Sequence, residues 1–223
     1  MTIQNGLLHE GVAYLWTDTA HWDPDTGKRV LVSGKVYQGT VWPWAVAISG
    51  DSHDIATQLG KFMNATPGGL LQDARTALEA EAEQGRLHRL LFAWPDEYGG
   101  EAPLCSIMSE AACGIGAYEA VPVRSFLCWG KDADWFEPFR GKALTPADMR
   151  EIVKLQMDNY DCPLFPNGIE DSRSDIVETR IGAGCIEHVQ LRLVGGEWQE
   201  VALGDGFRWL TENIEQQAAV AAA

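Results

Sequence analysis

Basic residues are few in this sequence of 223 residues. Lys and Arg number 17 against 32 Asp and Glu, which gives a formal net charge of -15. A surface with this charge repels polyphosphate and anionic lipid, so nucleic acid and membrane surfaces are poor candidates for a partner. No apolar run is long enough to span a bilayer, and Leu7-Leu8 is followed at once by His9 and Glu10, so we expect no secretory signal.

Cysteine is also scarce, and its pattern excludes a disulfide framework. The cysteines are odd in number and contain no C-x-x-C pair; they are Cys105, Cys113, Cys128, Cys162 and Cys185. We therefore expect reduced thiols in a cytoplasmic protein. The histidines show no metal-ligand spacing, and no glycine-rich phosphate loop is found. We expect no metal and no cofactor.

What the sequence does contain is a globular composition, with 46% hydrophobic and 22% charged residues. We expect one domain over 1–223, with a long loop, an apparent insertion, over 162–179 and a disordered tail over 218–223. Alternating or continuous apolar patterns predict strands over 12–17, 30–37, 44–49, 87–93, 102–108, 121–129, 185–193 and 198–203. Helical spacing predicts helices over 55–63 and 70–83, one that follows Thr145, and one that carries Phe207, Leu210 and Ile214. Runs of strands alternating with pairs of helices favour a layered α+β protein.

The most distinctive motif lies between Thr2 and Gly50. Thr2 follows Met1, and a buried strand leads into Asp18, which is sixteen residues after Thr2. Lys35 follows on the next predicted strand, and Gly50 ends an apolar strand just before a predicted helix. In this order and approximate spacing, the segment resembles the proteasome β-subunit family of N-terminal-nucleophile (Ntn) hydrolases. The resemblance is closest to the family's bacterial branch, the two-ring ATP-dependent protease.

That resemblance implies a fold and a set of roles. The fold would be a four-layer αββα sandwich, with two antiparallel sheets between helices. Thr2 would be the nucleophile after removal of Met1, Asp18 and Lys35 would support it, and Gly50 would supply the oxyanion hole. The family also implies a peptide substrate and a homo-oligomeric ring. Whether an ATPase partner exists is left open.

Elementary chemistry supports these residue types. A threonine hydroxyl needs a base, and the α-amino group of an N-terminal threonine can serve because its reference pKa is about 7.7 to 8.0. A lysine nearby favours deprotonation of the hydroxyl and lowers the pKa of the amine by repulsion between like charges. The aspartate compensates the buried ammonium, and the Gly50 amide can donate to the developing oxyanion.

Three functions remain open at this point. The first is a threonine-type hydrolase that cleaves amide bonds, and the second is a proteasome-like scaffold or assembly subunit without activity. The third is a small-molecule amidohydrolase of the same chemistry. The sequence departs from the family pattern in two places. The aspartate that the family has before the turn at 182–184 has no clean counterpart, since Glu178 and Ser174 are only nearby polar residues. Gly130 is followed by Lys131-Asp132, where a Gly-Ser-Gly turn is expected.

Overall fold

The computed structural model of the chain describes residues 3–22, 29–32, 34–38, 44–50, 55, 67–95, 103–112, 114–159, 175–182 and 185–201. Thirteen strands run along this part of the chain. In order they are β1 Gln4–His9, β2 Val12–Asp18, β3 Ala20–Trp22, β4 Arg29–Val32, β5 Val36–Gln38, β6 Ala45–Gly50, β7 His88–Ala93, β8 Leu104–Met108, β9 Val121–Pro122, β10 Ser125–Phe126, β11 Ile176–Gly182, β12 Cys185–Val194 and β13 Glu197–Val201. The described helices are α1 Pro67–Ala82, α2 Pro146–Asp158 and a 3-10 helix Asp134–Phe139.

The strands form two antiparallel sheets and a short ribbon. A six-stranded sheet has the order β10-β1-β2-β11-β12-β13, and a five-stranded sheet has the order β5-β6-β7-β8-β9. Strands β3 and β4 pair as a two-stranded ribbon. The described residues therefore belong to a mixed α/β protein with two antiparallel sheets and few helices.

Each sheet has two buried faces, because its strands alternate between two cores. In β7, Leu90 and Phe92 pack toward α1, whereas Leu91 and Ala93 pack toward the other sheet. The first core lies between α1 and the five-stranded sheet. Its α1 side is formed by Leu70, Ala74, Ala77 and Leu78.

The second and third cores lie on the two faces of the six-stranded sheet. Ala13 and Leu15 of β2 face the five-stranded sheet, and Trp16 faces helix α2. The two sheets approach closely at Gly6, where a Cβ atom would lie 2.6 Å from Leu91 Cδ2. A side chain at this position would push the sheets apart.

Most predicted elements are found with boundaries shifted by a few residues. The strand predicted over 30–37 is instead divided into β4 and β5, which belong to different sheets. The sequence prediction for α2 is confirmed in detail: Thr145 is its N-cap, Pro146 is its first residue, and Asp148 completes a capping box. Of the helix predicted over 55–63 only Ile55 is described, and it is helical and buried. The predicted helix around 207–214 and the tail over 218–223 lie outside the described residues, as does 162–174 of the predicted loop.

The prediction of a loop as far as residue 179 is wrong at its end. Strand β11 begins at Ile176 and lies in the middle of the six-stranded sheet, between β2 and β12. Glu178 and Arg180 interrupt its apolar pattern, so a prediction based on hydrophobicity alone misses the strand. The Glu178 side chain is nevertheless buried, since Arg150, Arg180 and Trp16 all donate hydrogen bonds to it.

Strand β1 was not predicted either. Its first residues, Gln4 and Asn5, are polar and Gly6 has no side chain, so no strand pattern is visible there. Both polar side chains are fully buried. The single strand Val121–Trp129 that we expected is divided into β9 and β10, and these belong to different sheets.

Candidate functional site

A buried ion pair joins the two charged residues that the sequence singled out. The Lys35 ammonium lies 2.7 Å from Asp18 Oδ2, and both side chains are almost completely buried. Asp18 is the last residue of β2, in the six-stranded sheet, and Lys35 precedes β5, at the edge of the five-stranded sheet. The pair therefore connects the two sheets at one end of the interface between them.

The second oxygen of the Asp18 carboxylate holds the start of the chain. Asp18 Oδ1 accepts a hydrogen bond of 2.8 Å from the backbone amide of Ile3, and the Asp18 amide donates to Ile3 O. Ile3 is the residue directly after Thr2. Thr2 itself lies outside the described residues, but the next peptide unit along the chain is fixed to Asp18 and so to the ion pair.

The electrostatic environment of Lys35 is unusual for a lysine. Burial lowers the pKa of its amine, and the charge and hydrogen bond of Asp18 oppose that effect without cancelling it. A buried lysine with a lowered pKa gives up its proton more readily than an exposed one. Such groups are common at catalytic sites, although structural ion pairs also produce them.

Gly50 lies on the strand next to Lys35. The amide of Ile48 donates to Lys35 O at 3.1 Å, so the N–H of Ile48 points from β6 toward the Lys35 strand. N–H groups two residues apart on a strand point to the same side. The Gly50 N–H is therefore directed to the Lys35 side. Strand β7, on the other side of β6, does not accept the Gly50 N–H. The residue of β7 opposite Gly50 is His88, whose own N–H and C=O bind Ser109 instead.

The glycine at position 50 also has a packing explanation. A Cβ atom there would lie 1.9 Å from His88 Nδ1 and 2.7 Å from the carbonyl oxygen of Leu87. The His88 ring is held from behind by the buried Glu81, whose Oε2 lies 3.2 Å from Nε2. The absence of a side chain at Gly50 is thus required by its neighbour, with or without a catalytic role.

A third segment approaches the start of β1 from the other side. Strand β10 pairs antiparallel with β1, with Gly6 opposite Phe126 and Leu7 opposite Ser125. Continued by two pairs, this register brings Cys128 opposite Gln4. The Cys128 thiol lies 3.6 Å from Gln156 Nε2. Burial raises the pKa of this thiol to about 11, and the Gln4 amide and the Arg89 charge oppose the shift, so the thiol stays protonated at neutral pH.

The Gln4 side chain ties the two sheets together beside the ion pair. Its amide nitrogen donates to Ala47 O at 2.8 Å and to Arg89 O at 3.0 Å, both in the five-stranded sheet. Its oxygen accepts from Arg89 Nε at 2.7 Å. Arg89 also donates to Cys128 O at 3.4 Å and lies over the Phe126 ring. This end of the interface between the sheets is therefore filled by polar contacts instead of apolar ones.

Of the four residues predicted for the site, Asp18 and Lys35 are in direct contact and Gly50 lies on the adjacent strand. Thr2 is the residue whose position is not described. The sequence reasoning missed the polar residues around them, which include Gln4, Asn5, Arg89 and Gln156. The one available signal was the pair Gln4-Asn5 between Thr2 and an apolar segment.

Other classes of site find no support in the part of the chain that the structure covers. No group of three or more His, Cys, Asp or Glu among the described residues could hold a metal ion. None of the described helices is long and apolar enough to cross a membrane.

Comparison with protein-family models found no match to this chain, and a search of the curated proteins found none either.

Proposed function

We propose that this protein is a threonine-type Ntn hydrolase that cleaves amide bonds, most simply peptide bonds, with Thr2 as its nucleophile after removal of Met1. One observation carries the proposal. The Asp18 carboxylate binds the Lys35 ammonium with one oxygen and the amide of Ile3 with the other. A buried charge pair is thereby fixed within one peptide unit of the N-terminal threonine.

The arrangement of layers supports the finer fold assignment that accompanies this function. Helix α1 packs on the outer face of the five-stranded sheet, helix α2 packs on the outer face of the six-stranded sheet, and the two inner faces share a core. This order is compatible with the four-layer αββα sandwich of Ntn hydrolases. In that fold the active site lies at one end of the interface between the sheets, and Asp18 and Lys35 meet at such an end.

The mechanism assigns one task to each group. The Thr2 hydroxyl attacks the substrate carbonyl, and its proton passes to the α-amino group of the same residue. Lys35 favours the deprotonated hydroxyl electrostatically, and Asp18 holds Lys35 and the Ile3 amide in place. The N–H of Gly50 donates to the oxyanion of the tetrahedral intermediate. The α-ammonium returns the proton to the departing amine, and water then releases the acyl group from Thr2.

The direct test measures the N-terminus and its reactivity together. Intact-mass measurement establishes whether Met1 is removed; its retention in the purified protein rules out Thr2 as an N-terminal nucleophile. A peptide carrying an epoxyketone, which reacts with both the hydroxyl and the amine of an N-terminal threonine, should then label the wild type at one site. Thr2→Ala should abolish the labelling, whereas the matched control Thr76→Ala, at an exposed threonine of α1, should not change it.

The alternatives predict different results. A proteasome-like scaffold without activity gives equal, background labelling in the wild type and in Thr2→Ala. The departure from the family at Gly130 favours this reading, because the serine-containing turn is missing there. A small-molecule amidohydrolase gives Thr2-dependent labelling by small electrophiles but not by peptide ones.

A further inference from the structure

Two fully buried amide side chains pair with each other behind the candidate site. Asn5 of β1 donates from Nδ2 to Gln156 Oε1 at 2.6 Å, and Gln156 of α2 donates from Nε2 to Asn5 Oδ1 at 3.3 Å. Both side chains are 0% exposed. Gln156 lies one turn after Ile152, on a helix face that is otherwise apolar.

The remaining hydrogen-bonding groups of this pair bind one short backbone segment. Asn5 Oδ1 accepts a hydrogen bond from the Cys128 amide at 3.1 Å, and Gln156 Nε2 donates to Trp129 O at 2.9 Å. Gln156 Nε2 also lies 3.6 Å from the Cys128 thiol. The two amides therefore hold backbone groups of two consecutive residues, Cys128 N–H and Trp129 C=O, just after the end of β10.

This segment runs alongside the start of β1. Cys128 lies opposite Gln4 when the register between β1 and β10 is continued, and Arg89 binds its carbonyl oxygen from the five-stranded sheet. The next residue but one, Gly130, has a φ of +93°, and the Trp135 ring covers its Cα, where a Cβ would lie 2.3 Å from Trp135 Cζ2. A residue with a side chain could not adopt this path, so the backbone at 128–130 is fixed from both sides.

Packing alone does not explain the choice of amides. Burying a polar side chain costs free energy unless every hydrogen bond is satisfied, and two apolar side chains of the same size would fill the space between β1 and α2. What an apolar pair could not do is bind the Cys128 N–H and the Trp129 C=O. The position of that backbone is the property that the amides determine.

We propose that Asn5 and Gln156 are positioning residues that fix the 128–130 backbone as the wall of the active site facing the N-terminal threonine. The inference rests on the proposed function. Its consequence is that this wall is built from backbone groups, aligned by side chains from β1 and α2, in the place where the family that the sequence resembles has a serine-containing turn.

The test uses Gln156→Glu in the full-length protein. This change keeps the size of the side chain but replaces the donor to Trp129 O by a carboxylate oxygen. The matched control is Gln84→Glu, the same change at an exposed position after α1. We expect the first-order rate of bond formation between Thr2 and a peptide epoxyketone to fall at least tenfold in Gln156→Glu, with a smaller change in the affinity for the reagent. Hydrogen exchange of the amides at 128–130 should become at least tenfold faster.

The pH dependence provides a readout that a merely structural role would not change. As pH falls, the introduced carboxyl takes up a proton and regains a donor, so the labelling rate of Gln156→Glu relative to wild type at the same pH should rise. A second variant, Asn5→Asp, removes the donor to Gln156 but keeps the acceptor for Cys128 N–H, and it should show a smaller loss.

Each outcome decides the question. A folded Gln156→Glu protein that labels as fast as wild type overturns the positioning role. If both variants unfold, the pair is a folding element and the inference is again overturned. If wild type itself is not labelled while Met1 is absent, the proposed function fails, and the inference fails with it. Faster exchange at 128–130 together with the selective loss of bond formation supports it.

Discussion

The His88 ring lies directly across the Cα of Gly50, so that a methyl group on Gly50 would stand 1.9 Å from Nδ1. The ring cannot retreat freely, because Glu81 binds it from the side of α1. The residue with the least bulk on β6 is thus paired with one of the most constrained side chains on β7.

Gly50→Ala should therefore destabilise the protein by about 1–3 kcal/mol, the usual cost of overpacking a filled site. The control is Gly182→Ala, where the nearest atom to a new Cβ is Val12 Cγ2 at an ordinary 3.4 Å. Urea unfolding of both variants measures the difference. In the background of His88→Ala the cost of Gly50→Ala should decrease but not vanish, because the contact with the Leu87 carbonyl oxygen at 2.7 Å remains. An unchanged cost would show that the clash with His88 is not its main cause.

Breaking the pair between Lys35 and Asp18 should cost more stability than an exposed lysine would. The reason is the 2.7 Å contact, since removal of the Lys35 ammonium leaves the buried charge of Asp18 without its partner. Lys35→Met should lower the free energy of unfolding by about 3–5 kcal/mol, and the double variant Lys35→Met/Asp18→Asn should recover part of it.

Neither of these variants should be labelled at Thr2. The double variant therefore separates the two effects, because it should recover part of the stability without recovering the labelling. Lys154→Met, at a lysine that reaches only the exposed carbonyl of Gly196, is the matched control and should be near wild type in both measurements. A double variant as unstable as the single one would mean that the charge left on Asp18 is not what costs stability.

Glu178 should govern part of the acid sensitivity of the fold. Burial disfavours its charge, but the hydrogen bonds and charges of Arg150 and Arg180 outweigh burial, so the pKa of its carboxyl lies below the ordinary 4.5. The stabilisation is therefore present above pH 4.5 and is lost as pH falls through the lower pKa of the folded state. Glu178→Gln should cost about 1.5–3 kcal/mol at pH 7.

The free energy of unfolding of Glu178→Gln should also fall less steeply than that of wild type as the pH is lowered. Chemical denaturation between pH 3 and pH 7 checks both statements, with the exposed Glu79→Gln as control. A decline in acid as steep as that of wild type would contradict the assignment to Glu178.

His188 should contribute a second pH dependence at the contact between β12 of the six-stranded sheet and β5 of the five-stranded sheet. Its Nδ1 lies 2.9 Å from Thr179 Oγ1, its Nε2 lies 2.8 Å from Gln38 Oε1, and burial lowers the pKa of the ring to about 4. The unfolded chain takes up this proton near pH 6.5, and the folded chain does so only near pH 4. Stability should thus fall as pH falls from about 6.5 to about 4.

In His188→Gln this component should disappear. An imidazole NMR titration of the folded protein gives the pKa directly, and unfolding experiments between pH 4 and pH 7 give the slope. A midpoint near 6.5 for His188 would contradict the buried, neutral ring.

The parts of the fold that follow local rules were predictable from the sequence. The apolar strand before Asp18, the apolar strand before Gly50 and the capped start of α2 at Thr145 are all specified by residues that are close together in the chain. The contact between Asp18 and Lys35 was expected only from the family resemblance, since two charges 17 residues apart carry no sign that they meet.

The elements that were missed depend on partners distant in sequence. Strand β1 contains Gln4 and Asn5, and their burial makes sense only once Ala47, Arg89 and Gln156 supply the hydrogen bonds. Strand β11 contains Glu178, whose burial requires Arg150. A hydrophobicity pattern registers such residues as exposed, because it cannot know that their polar groups are satisfied by another element.

The strand order also fixes when the site can be completed during synthesis. Strand β2 has β1 on one side, paired within the first twenty residues, and β11, from Ile176 to Gly182, on the other. While the ribosome is still making the chain, β2 is therefore an open edge, and the backbone of Asp18 lacks its neighbour. The amide of Thr19, which donates to Asp175 O, is fixed equally late. Asp18 and Thr19 are thus made long before the strand that completes their environment.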